Sequence, residues 1–433
     1  MLGNLSNPVD AVLVGAGNRG HLAYGAYALQ HPENLRFVAV ADPDEGRRGR
    51  FADAHAIPPE RQFRSWEDLA DRPQLAPALI NATQDRAHRQ SALTLLAAGY
   101  DMLLEKPIAP TAEECLEVAH AAEVSGRLLQ IAHVLRYAHF FRVIRDVVAA
   151  GRLGEIVSVD WRENLVYWHY AHSFVRGNWS NSGRSGPMIL TKCCHDLDLL
   201  VWMFGACERI ASFGSLTHFV ASSVGSEIPA RCLDGCPAAD ACPYYAPRLY
   251  LSRFQENPNN FTVNAVTLER TAEGILRALA TGPYGRCVYR CDNDVVDHQV
   301  VVLDFPSGFS ATLTMQGASH VEGRTVRIDG RRATLLANES RHEIVVHDHL
   351  TGEEIVSHTP TGGGGHSGGD DRLISAFVAE VRQGGAHTDV LTSVREAVES
   401  HLMAFAAEQA RLSGVSIDMS AFRHGVTATA DAY

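Results

Sequence analysis

The sequence predicts an α/β fold in which a doubly wound parallel sheet precedes a second domain built on antiparallel strands. Three observations predict it. Short apolar runs alternate with helix-like patterns over residues 9–132, as in a parallel sheet covered by helices on both faces. The glycine-rich run Gly15–Gly20 directly follows the first apolar run. Strand-like segments joined by short turns then occupy residues 299–347.

Length and composition bound the class of protein. The 433 residues are enough for two domains with a large core, and 46% of them are hydrophobic. A net charge of −12 argues against nonspecific nucleic-acid partners and anionic membrane surfaces. No apolar run approaches the roughly 20 residues that span a bilayer, and the first residues lack a signal-peptide pattern. We therefore expect a cytoplasmic protein with reduced thiols, without nucleic-acid or membrane partners.

The individual elements follow from apolar periodicity and turn residues. In the first domain we expect strands at 9–14, 35–41, 78–83, 100–104 and 128–132, and helices at 20–31, 44–55, 86–98 and 111–125. In the second we expect strands at 155–164, 299–305, 309–316, 324–329, 333–336 and 343–347, with a hairpin turn at Pro306-Ser307-Gly308. The predicted domains are residues 1–135 and 136–433.

The glycine run has the spacing of a dinucleotide-binding turn. Gly15 permits the tight turn, Gly17 lets the backbone approach a pyrophosphate, and Gly20 lets the helix pack on the strand. The helix N-terminus adds N–H donors for phosphate. Asp42 ends the second strand, where an acid accepts hydrogen bonds from the adenosine ribose. This acid favours NAD over NADP, although Arg47 and Arg48 follow it; we interpret these arginines as a solvated helix face.

A second short motif points to catalysis. Glu105-Lys106-Pro107 follows the apolar run Met102–Leu104, which places Lys106 at the carboxyl end of a strand. In a dinucleotide-binding sheet the reactive nicotinamide ring lies near that edge. A surface lysine before a turn is the alternative interpretation of Lys106.

Together these motifs resemble the GFO/IDH/MocA oxidoreductase family, the relatives of glucose–fructose oxidoreductase and inositol dehydrogenase. The matching segments cover roughly the first 200 residues, in the family's order: Gly15–Gly20, Asp42-Pro43-Asp44, Thr83 with His88, Glu105-Lys106-Pro107, Arg136-Tyr137, Gly151–Ile156 and His195–Asp198. A last amphipathic stretch, residues 371–412, resembles the family's C-terminal helices.

The resemblance implies a Rossmann domain followed by an α+β domain with a large, mostly antiparallel open sheet. It implies a sugar or cyclitol substrate between that sheet and the nicotinamide, and a homodimer or homotetramer. It implies catalysis by Lys106 and His195, substrate binding by Arg136, and a cofactor site that comprises Gly15, Gly17, Asn18, Arg19, Gly20, Asp42, Thr83, His88, Glu105 and Lys106.

Histidine titrates near neutral pH, so His195 is the natural base for a hydroxyl proton. Lys106 would stabilise alkoxide character or relay the proton, and burial beside a cationic nicotinamide would lower the pKa of Lys106 and make it an alternative base. The alternative for His195 is a core or capping histidine. Relatives commonly carry an aspartate four residues before this histidine, whereas this chain has Thr191 followed by Lys192. Lys192 would favour an anionic substrate or shift the proton chemistry.

Two further segments are candidates for substrate binding. Residues 161–179 mix aromatic and hydrogen-bonding side chains, including Trp168, His172 and Arg176, which suits a sugar but equally a packed interface. The glycine-rich run 362–370 contains His366, and it reads either as a loop that closes over substrate or as a flexible linker.

The cysteine-rich segment, residues 228–250, is the feature that the family pattern explains least. Cys232, Cys236 and Cys242 are compatible with zinc or an iron–sulfur cluster, although they lack the tight spacing of structural zinc sites. Buried thiols or a disulfide are the alternatives.

The sequence thus predicts an NAD(P)-dependent dehydrogenase or reductase of a sugar, sugar derivative or cyclitol. One alternative is glycoside cleavage through transient oxidation of the sugar by tightly held NAD. Another is a noncatalytic dinucleotide sensor, which would need neither Lys106 nor His195.

Overall fold

The first domain is built on a six-stranded parallel sheet. The computed structural model describes residues 7–360, 368–384 and 391–430, so His366 lies outside the described residues. The sheet has the order β3-β2-β1-β4-β5-β6, with strands β1 (Val9–Val14), β2 (Leu35–Ala41), β3 (Gln62–Phe63), β4 (Ala78–Asn81), β5 (Asp101–Leu104) and β6 (Leu129–Ile131). The order reverses between β1 and β4. Doubly wound sheets bind their ligands at this reversal, at the carboxyl ends of the strands, and we call this edge the crevice.

Helices cover both faces of this sheet, as the alternation predicts. A π-helical segment, Arg19–Gly25, continues into α1 (Ala26–Gln30). The others are α2 (Glu45–Ala54), α3 (Trp66–Ala70), α4 (His88–Ala97), α5 (Ala112–Ser125) and the connecting helix α6 (His139–Ala149). Thr111 caps α5 through its hydroxyl, and Gly126 ends that helix with a left-handed φ of 62°.

The second sheet has nine strands in the order β14-β13-β12-β11-β7-β10-β9-β8-β15. Among the described strands of this second sheet, only β7 and β10 pair in parallel, which confirms that the sheet is mostly antiparallel. The strands are β7 (Ile156–Val166), β8 (Arg209–Ser215), β9 (His298–Asp304), β10 (Ser310–Ser319), β11 (Gly323–Gly330), β12 (Ala333–Asn338), β13 (Glu343–Asp348), β14 (Glu354–His358) and β15 (Ile417–Asp418). The predicted hairpin is β9 and β10.

The connections of the second sheet approach the first domain. Between β7 and β8 lie α7 (Tyr167–Tyr170), a π-helical segment (Ala171–Arg176), α8 (Met188–Thr191) and α9 (Cys194–Phe204). Between β8 and β9 lie residues 216–297, which we call the insert. It contains α10 (Ala246–Glu256), α11 (Phe261–Val266) and α12 (Ala272–Thr281), packed around a small apolar cluster that includes Tyr250 and Ile275.

The last helices among the described residues are α13 (Gly369–Arg382), α14 (Val394–Ser413) and α15 (Met419–Ala430). The first two overlap the stretch 371–412 for which the sequence predicts helices, and α15 follows it. The segment before α14 returns to the first sheet, where the Ile131 amide donates to the Thr392 carbonyl at 2.8 Å. No described helix is both long and apolar enough to cross a membrane. The domain boundary at residue 135 stays a prediction.

Arg136 holds this junction together instead of reaching a substrate. Its guanidinium donates to both carboxylate oxygens of Asp198 at 2.8 Å and to the Leu391 carbonyl at 2.9 Å. Arg136 is only 1% exposed. The group that balances this buried charge is Asp198 of α9, so the structure gives the predicted substrate-binding role of Arg136 no support.

Candidate active site

The glycine turn after β1 has the geometry that a dinucleotide needs. Gly15 has a φ of +92°, and a Cβ there would lie 2.3 Å from the Ala82 carbonyl oxygen. A Cβ on Gly20 would lie 2.1 Å from the Gly15 oxygen, so the helix packs closely on the turn. A Cβ on Gly17 would meet nothing within 4 Å. The residues present therefore fit the cofactor, since the turn is tight inside and open at Gly17.

Asp42 organises the same turn. Its carboxylate accepts the Ala16 amide at 2.7 Å and the Asp44 amide at 2.8 Å. Burial raises the pKa of Asp42, and these two donors act against that rise. Each carboxylate oxygen keeps further lone-pair capacity, so Asp42 can also accept from a ribose hydroxyl.

Glu105 and Arg19 join the glycine turn to the end of β5. The Glu105 carboxylate accepts from Arg19 Nε at 2.5 Å and from the Tyr24 hydroxyl at 2.6 Å. The Arg19 guanidinium also donates to Asp370 of α13 at 2.7 Å. Burial alone raises the pKa of Glu105, but Arg19 and Tyr24 outweigh it and hold that pKa below its ordinary value. The structure thus places Glu105 as a buried support of the cofactor turn, although direct cofactor contact was predicted.

Thr83 and His88 link the loops that follow β4 and β5. His88 Nδ1 lies 2.6 Å from the Pro107 carbonyl oxygen, and Nε2 lies 3.2 Å from the Thr83 carbonyl oxygen. His88 has no exposed surface, so it supports these loops and does not reach a cofactor as predicted. Thr83 is half-buried at the crevice, with its hydroxyl on Asn81.

Lys106 and the helix that carries His195 meet at the crevice. Lys106 Nζ donates to the Thr191 carbonyl at 2.8 Å, one helical turn before His195. His195 lies in the first turn of α9, and the ring of His133 packs edge-on against it at 5.6 Å between centroids. A backbone carbonyl therefore receives the lysine at the position, four residues before His195, where the family resemblance led us to expect a carboxylate.

Asp85 is a residue that the sequence reasoning missed. It lies on the loop after β4, is 6% exposed, and accepts from the Trp179 indole N–H at 3.0 Å. Burial raises its pKa, while the nearby charges of His88 and Lys106 lower it. The sequence pattern that could have identified Asp85 is an acid that closely follows a buried strand, as Asp42 does after β2. Asp85 supplies a carboxylate on the Lys106 side of the crevice.

Lys192 lies in a buried ion network below the site. Its ammonium pairs with Glu163 at 3.0 Å and lies 3.8 Å from Glu322. Burial opposes its charge, but these carboxylates raise the pKa of Lys192 above its ordinary value. Because its charge is balanced inside the protein, the expectation that Lys192 favours an anionic substrate loses its basis.

The aromatic segment contributes less to the site than predicted. Arg176 is 1% exposed and donates to the carbonyls of Arg286 and Tyr244, both at 2.7 Å. His172 is buried, bonds the Tyr250 hydroxyl at 2.9 Å and stacks on Tyr284. Both residues therefore hold the insert, and the structure gives their predicted substrate-binding role no support. Trp168 remains half-buried under the Arg253 guanidinium.

The cysteines give the metal hypothesis no support. Within the described ranges, no three His, Cys, Asp or Glu side chains are grouped so that they could hold a metal ion. Cys232 packs in the apolar cluster of the insert, whereas Cys236 and Cys242 are only half-buried. All three are free thiols. Beside His195, burial raises the pKa of the Cys194 thiol to about 12, so it stays protonated.

Comparison with known proteins agrees with this geometry. Residues 9–133 match the oxidoreductase family with an NAD-binding Rossmann fold, and residues 141–233 match the GFO/IDH/MocA C-terminal domain. The chain belongs to the GFO/IDH/MocA family of oxidoreductases.

Its curated relatives include a putative oxidoreductase, YteT, of Bacillus subtilis (strain 168), with 25% identity over 68% of this chain and 70% of the relative. The trans-1,2-dihydrobenzene-1,2-diol dehydrogenase of Bos taurus is 32% identical over 41% of this chain and 51% of the relative. An inositol 2-dehydrogenase of Leifsonia xyli subsp. xyli is 29% identical over 45% and 53%. The chain thus spans about half the length of these two dehydrogenases.

Solved structures share the fold at low identity. A levoglucosan dehydrogenase in complex with NADH and levoglucosan has a TM-score of 0.69 and 15% identity, over 95% of this chain and all of the other. An oxidoreductase from Agrobacterium radiobacter in complex with NAD+, L-tartaric acid and magnesium has a TM-score of 0.68 and 13% identity, over 95% and 99%. This likeness confirms the two-domain fold.

Two glycine substitutions separate the fold of the turn from its ligand site. We expect Gly15→Ala to lower the free energy of unfolding by about 3 kcal/mol, because its Cβ would collide with backbone at a positive φ. We expect Gly17→Ala to leave that free energy within about 0.5 kcal/mol of the wild type but to weaken NAD binding. Urea unfolding and calorimetric titration measure both. Wild-type NAD affinity in Gly17→Ala would contradict the assignment of the cofactor turn.

His401 lies behind the loop that carries Lys106, and it makes the free energy of unfolding depend on pH. Its Nε2 accepts the Ile108 amide at 3.0 Å, and Nδ1 donates to the Ala397 carbonyl at 2.9 Å. Burial and, next, His133 lower the pKa of His401 from 6.5 to about 3. The unfolded chain therefore protonates His401 more readily than the folded chain does. The contribution of His401 to the free energy of unfolding is highest above pH 6.5 and decreases as the pH falls below that value.

We expect His401 to account for about 2 kcal/mol of the stability lost between pH 7 and pH 5. Urea unfolding of wild type and His401→Gln across that range measures this contribution, and the variant should have the shallower slope. The exposed His358 provides the control, since His358→Gln should keep the wild-type slope. Parallel slopes for wild type and His401→Gln would exclude His401 as the titrating group.

Proposed function

We propose that this protein is an NAD-dependent dehydrogenase that transfers a hydride between nicotinamide and a ring carbinol or ketone of a sugar or cyclitol. One observation carries the proposal. Lys106 lies at the carboxyl end of β5, at the edge of the sheet where a nicotinamide lies in this fold, and its ammonium contacts the turn before His195. A sensor would need neither group.

The named relatives support the substrate class. Inositol, a dihydrodiol and levoglucosan are polyhydroxylated or vicinally oxygenated rings, and they appear in the names of proteins similar to this one. In this chain the carboxylate of Asp85, the ammonium of Lys106 and the imidazole of His195 offer the polar groups that such a ring requires.

When bound, NAD accepts or returns the hydride, and side chains of this chain accept or donate the proton. His195 takes the hydroxyl proton, because an imidazole can accept one near neutral pH. Lys106 donates a hydrogen bond to the same oxygen and stabilises its developing negative charge. The Thr191 carbonyl fixes the lysine, and the His133 ring restricts the orientation of His195.

The cofactor choice and the assembly belong to the same proposal. Asp42 would face a 2′-phosphate with a carboxylate, which supports NAD as the preferred cofactor over NADP.

The outer face of the second sheet exposes apolar side chains such as Phe213 (67%), Val356 (45%) and Val302 (38%). These support a homodimer or homotetramer through that face, and native mass spectrometry should find a multiple of the 47.1 kDa chain. A monomeric mass at micromolar concentration would contradict it. A cytoplasmic location stays a prediction.

A second candidate, glycoside cleavage by transient oxidation, is favoured by one contact. The glycine-turn residue Asn18 donates to the Phe261 carbonyl of the insert at 3.0 Å, so the insert borders the cofactor turn. An insert that covers the cofactor would slow the release of the cofactor. Slow release suits a reaction that oxidises and then reduces the same sugar with one bound NAD. Net NADH formation favours the dehydrogenase, whereas aglycone release without net NADH favours cleavage.

Substitution of the two candidate catalytic residues tests the proposal. In a screen of sugars and cyclitols with NAD, followed at 340 nm, we expect Lys106→Met and His195→Asn each to lower kcat by about 10²–10⁴-fold. Affinity for NAD should remain, because neither residue forms the glycine turn. His358→Asn is the matched histidine control and should keep wild-type kcat. Wild-type turnover in Lys106→Met would refute the assigned role.

The chain also permits a direct measurement on Lys106, since Lys106 and Lys192 are its only lysines. Reductive methylation with ¹³C-formaldehyde would label these two ammonium groups and the α-amine. Lys106→Arg and Lys192→Arg would assign the signals. We expect the Lys106 signal alone to shift strongly when NAD and a substrate are both present.

A further inference from the structure

The insert reaches across to both loops that frame the adenosine half of the cofactor crevice. Asn18 of the glycine turn donates to the Phe261 carbonyl of α11 at 3.0 Å. The Leu268 side chain lies 3.3 Å from the place where a Cβ on Gly46 would be, in the first turn of α2. Gly46 follows the acid Asp42 by four residues. A segment of the second domain therefore borders the first domain where a ribose and a pyrophosphate lie in this fold.

Cationic side chains converge at this border. The pKa of Arg50 of α2 is lowered first by burial and next by the charge of Arg270 of the insert. Both also act on His21, which directly follows the glycine turn: burial, then Arg50 and Arg270, lower the pKa of His21 to about 4. His21 is therefore neutral at pH 7, and the two arginines carry the charge.

No described carboxylate balances either arginine. In the part of the chain that the structure describes, neither Arg50 nor Arg270 forms an ion pair with a carboxylate; Asp44, the acid that acts on Arg50, accepts the Arg47 amide. Arg50 Nε and His21 Nδ1 are both buried, and neither has a hydrogen-bond partner. Arg270 is held in place by the Thr267 carbonyl at 2.7 Å and by the Asn264 side chain.

Arg270 lies two residues after Leu268, and Arg50 lies one helical turn after Gly46, so the Leu268–Gly46 approach places both half-buried arginines at the same border. Like charges at one border repel, and an anion bound by both removes that repulsion. Guanidinium groups match phosphate oxygens in geometry as well as in charge. The anion that this fold brings to the start of the first helix is a phosphate of the dinucleotide. The arrangement is therefore suited to a phosphate that arrives with the cofactor.

We propose that Arg270 of the insert and Arg50 of α2 together bind a phosphate group on the adenosine half of the dinucleotide, so that the insert closes over the bound cofactor. This inference rests on the proposed cofactor use. It assigns a task to a segment for which the sequence suggested only a metal site. The shared ligand chemistry is a phosphate, which is either the pyrophosphate of NAD or the 2′-phosphate of NADP.

The test compares Arg270→Gln and Arg50→Gln with the wild type by calorimetric titration. We expect each variant to raise the dissociation constant for NAD or NADP by about 10-fold or more, as loss of a charged hydrogen bond does. If the pyrophosphate is the ligand, ADP-ribose should show the same loss, and if the 2′-phosphate is the ligand, ADP-ribose should bind equally to all variants. Nicotinamide mononucleotide, which lacks the adenosine half, should bind equally to all variants in both cases. A loss for NAD and NADP alike indicates the pyrophosphate, and a loss confined to NADP indicates the 2′-phosphate.

Arg277→Gln is the matched control, because Arg277 is an exposed arginine of the same insert, paired with Glu269 at its surface. It should keep wild-type affinity. Thermal unfolding without ligand separates binding from structure: Arg270→Gln should keep or raise the Tm, since removing one of two repelling charges relieves the free protein. The stabilisation that NADH gives to wild type should shrink in this variant.

Unchanged dinucleotide affinity in Arg270→Gln would overturn the inference. So would a fall in Tm that accounts for the lost affinity, or a raised KM for substrate with unchanged affinity for the cofactor. Failure of the wild type to bind any dinucleotide is a different result, because it would refute the proposed function itself.

Discussion

The buried carboxylate of Glu105 is the interaction on which the rest of the site depends. It receives Arg19 from the glycine turn and Tyr24 from the first helix, while Arg19 extends to Asp370 of the last third of the chain. Three segments far apart in sequence thus meet at one charge. A buried carboxylate is costly unless it is paired and hydrogen-bonded, and Glu105 is both. The next residue is Lys106, so the same interaction fixes the position of the candidate catalytic lysine.

The groups around the Lys106 ammonium come from several elements of the fold. The carbonyl of Thr191 holds the Lys106 ammonium, and Asp85 brings a carboxylate from the loop after β4. Trp179 fixes Asp85, and His133 packs against His195. Lys192 fills the adjacent position but is neutralised by Glu163. The carboxylate on the Lys106 side of the crevice thus comes from the loop after β4 and not from the turn before His195.

The insert shows how one strand connection can alter a shared fold. Residues 216–297 leave the second sheet after β8 and return at β9, and their helices reach the glycine turn of the first domain. Side chains expected at the substrate, Arg176 and His172, anchor this insert instead, through Tyr244 and Tyr250. Aromatic and polar side chains serve a sugar and a packed interface equally well, so composition alone does not distinguish the two.

By itself the sequence determined that a parallel sheet precedes an antiparallel one, where the glycine turn lies, and where Lys106, His195 and Asp42 stand, because apolar periodicity and strand-end motifs act over a few residues. The order of the strands within each sheet came only from the folded chain. Tertiary structure alone decided which polar residues are balanced within the protein. Arg136 lies against Asp198, Arg19 against Glu105 and Lys192 against Glu163, each pair separated by at least 29 residues along the chain. A charged residue has the same local signature whether it awaits a ligand or has a buried partner, and only the folded chain brings that partner to it.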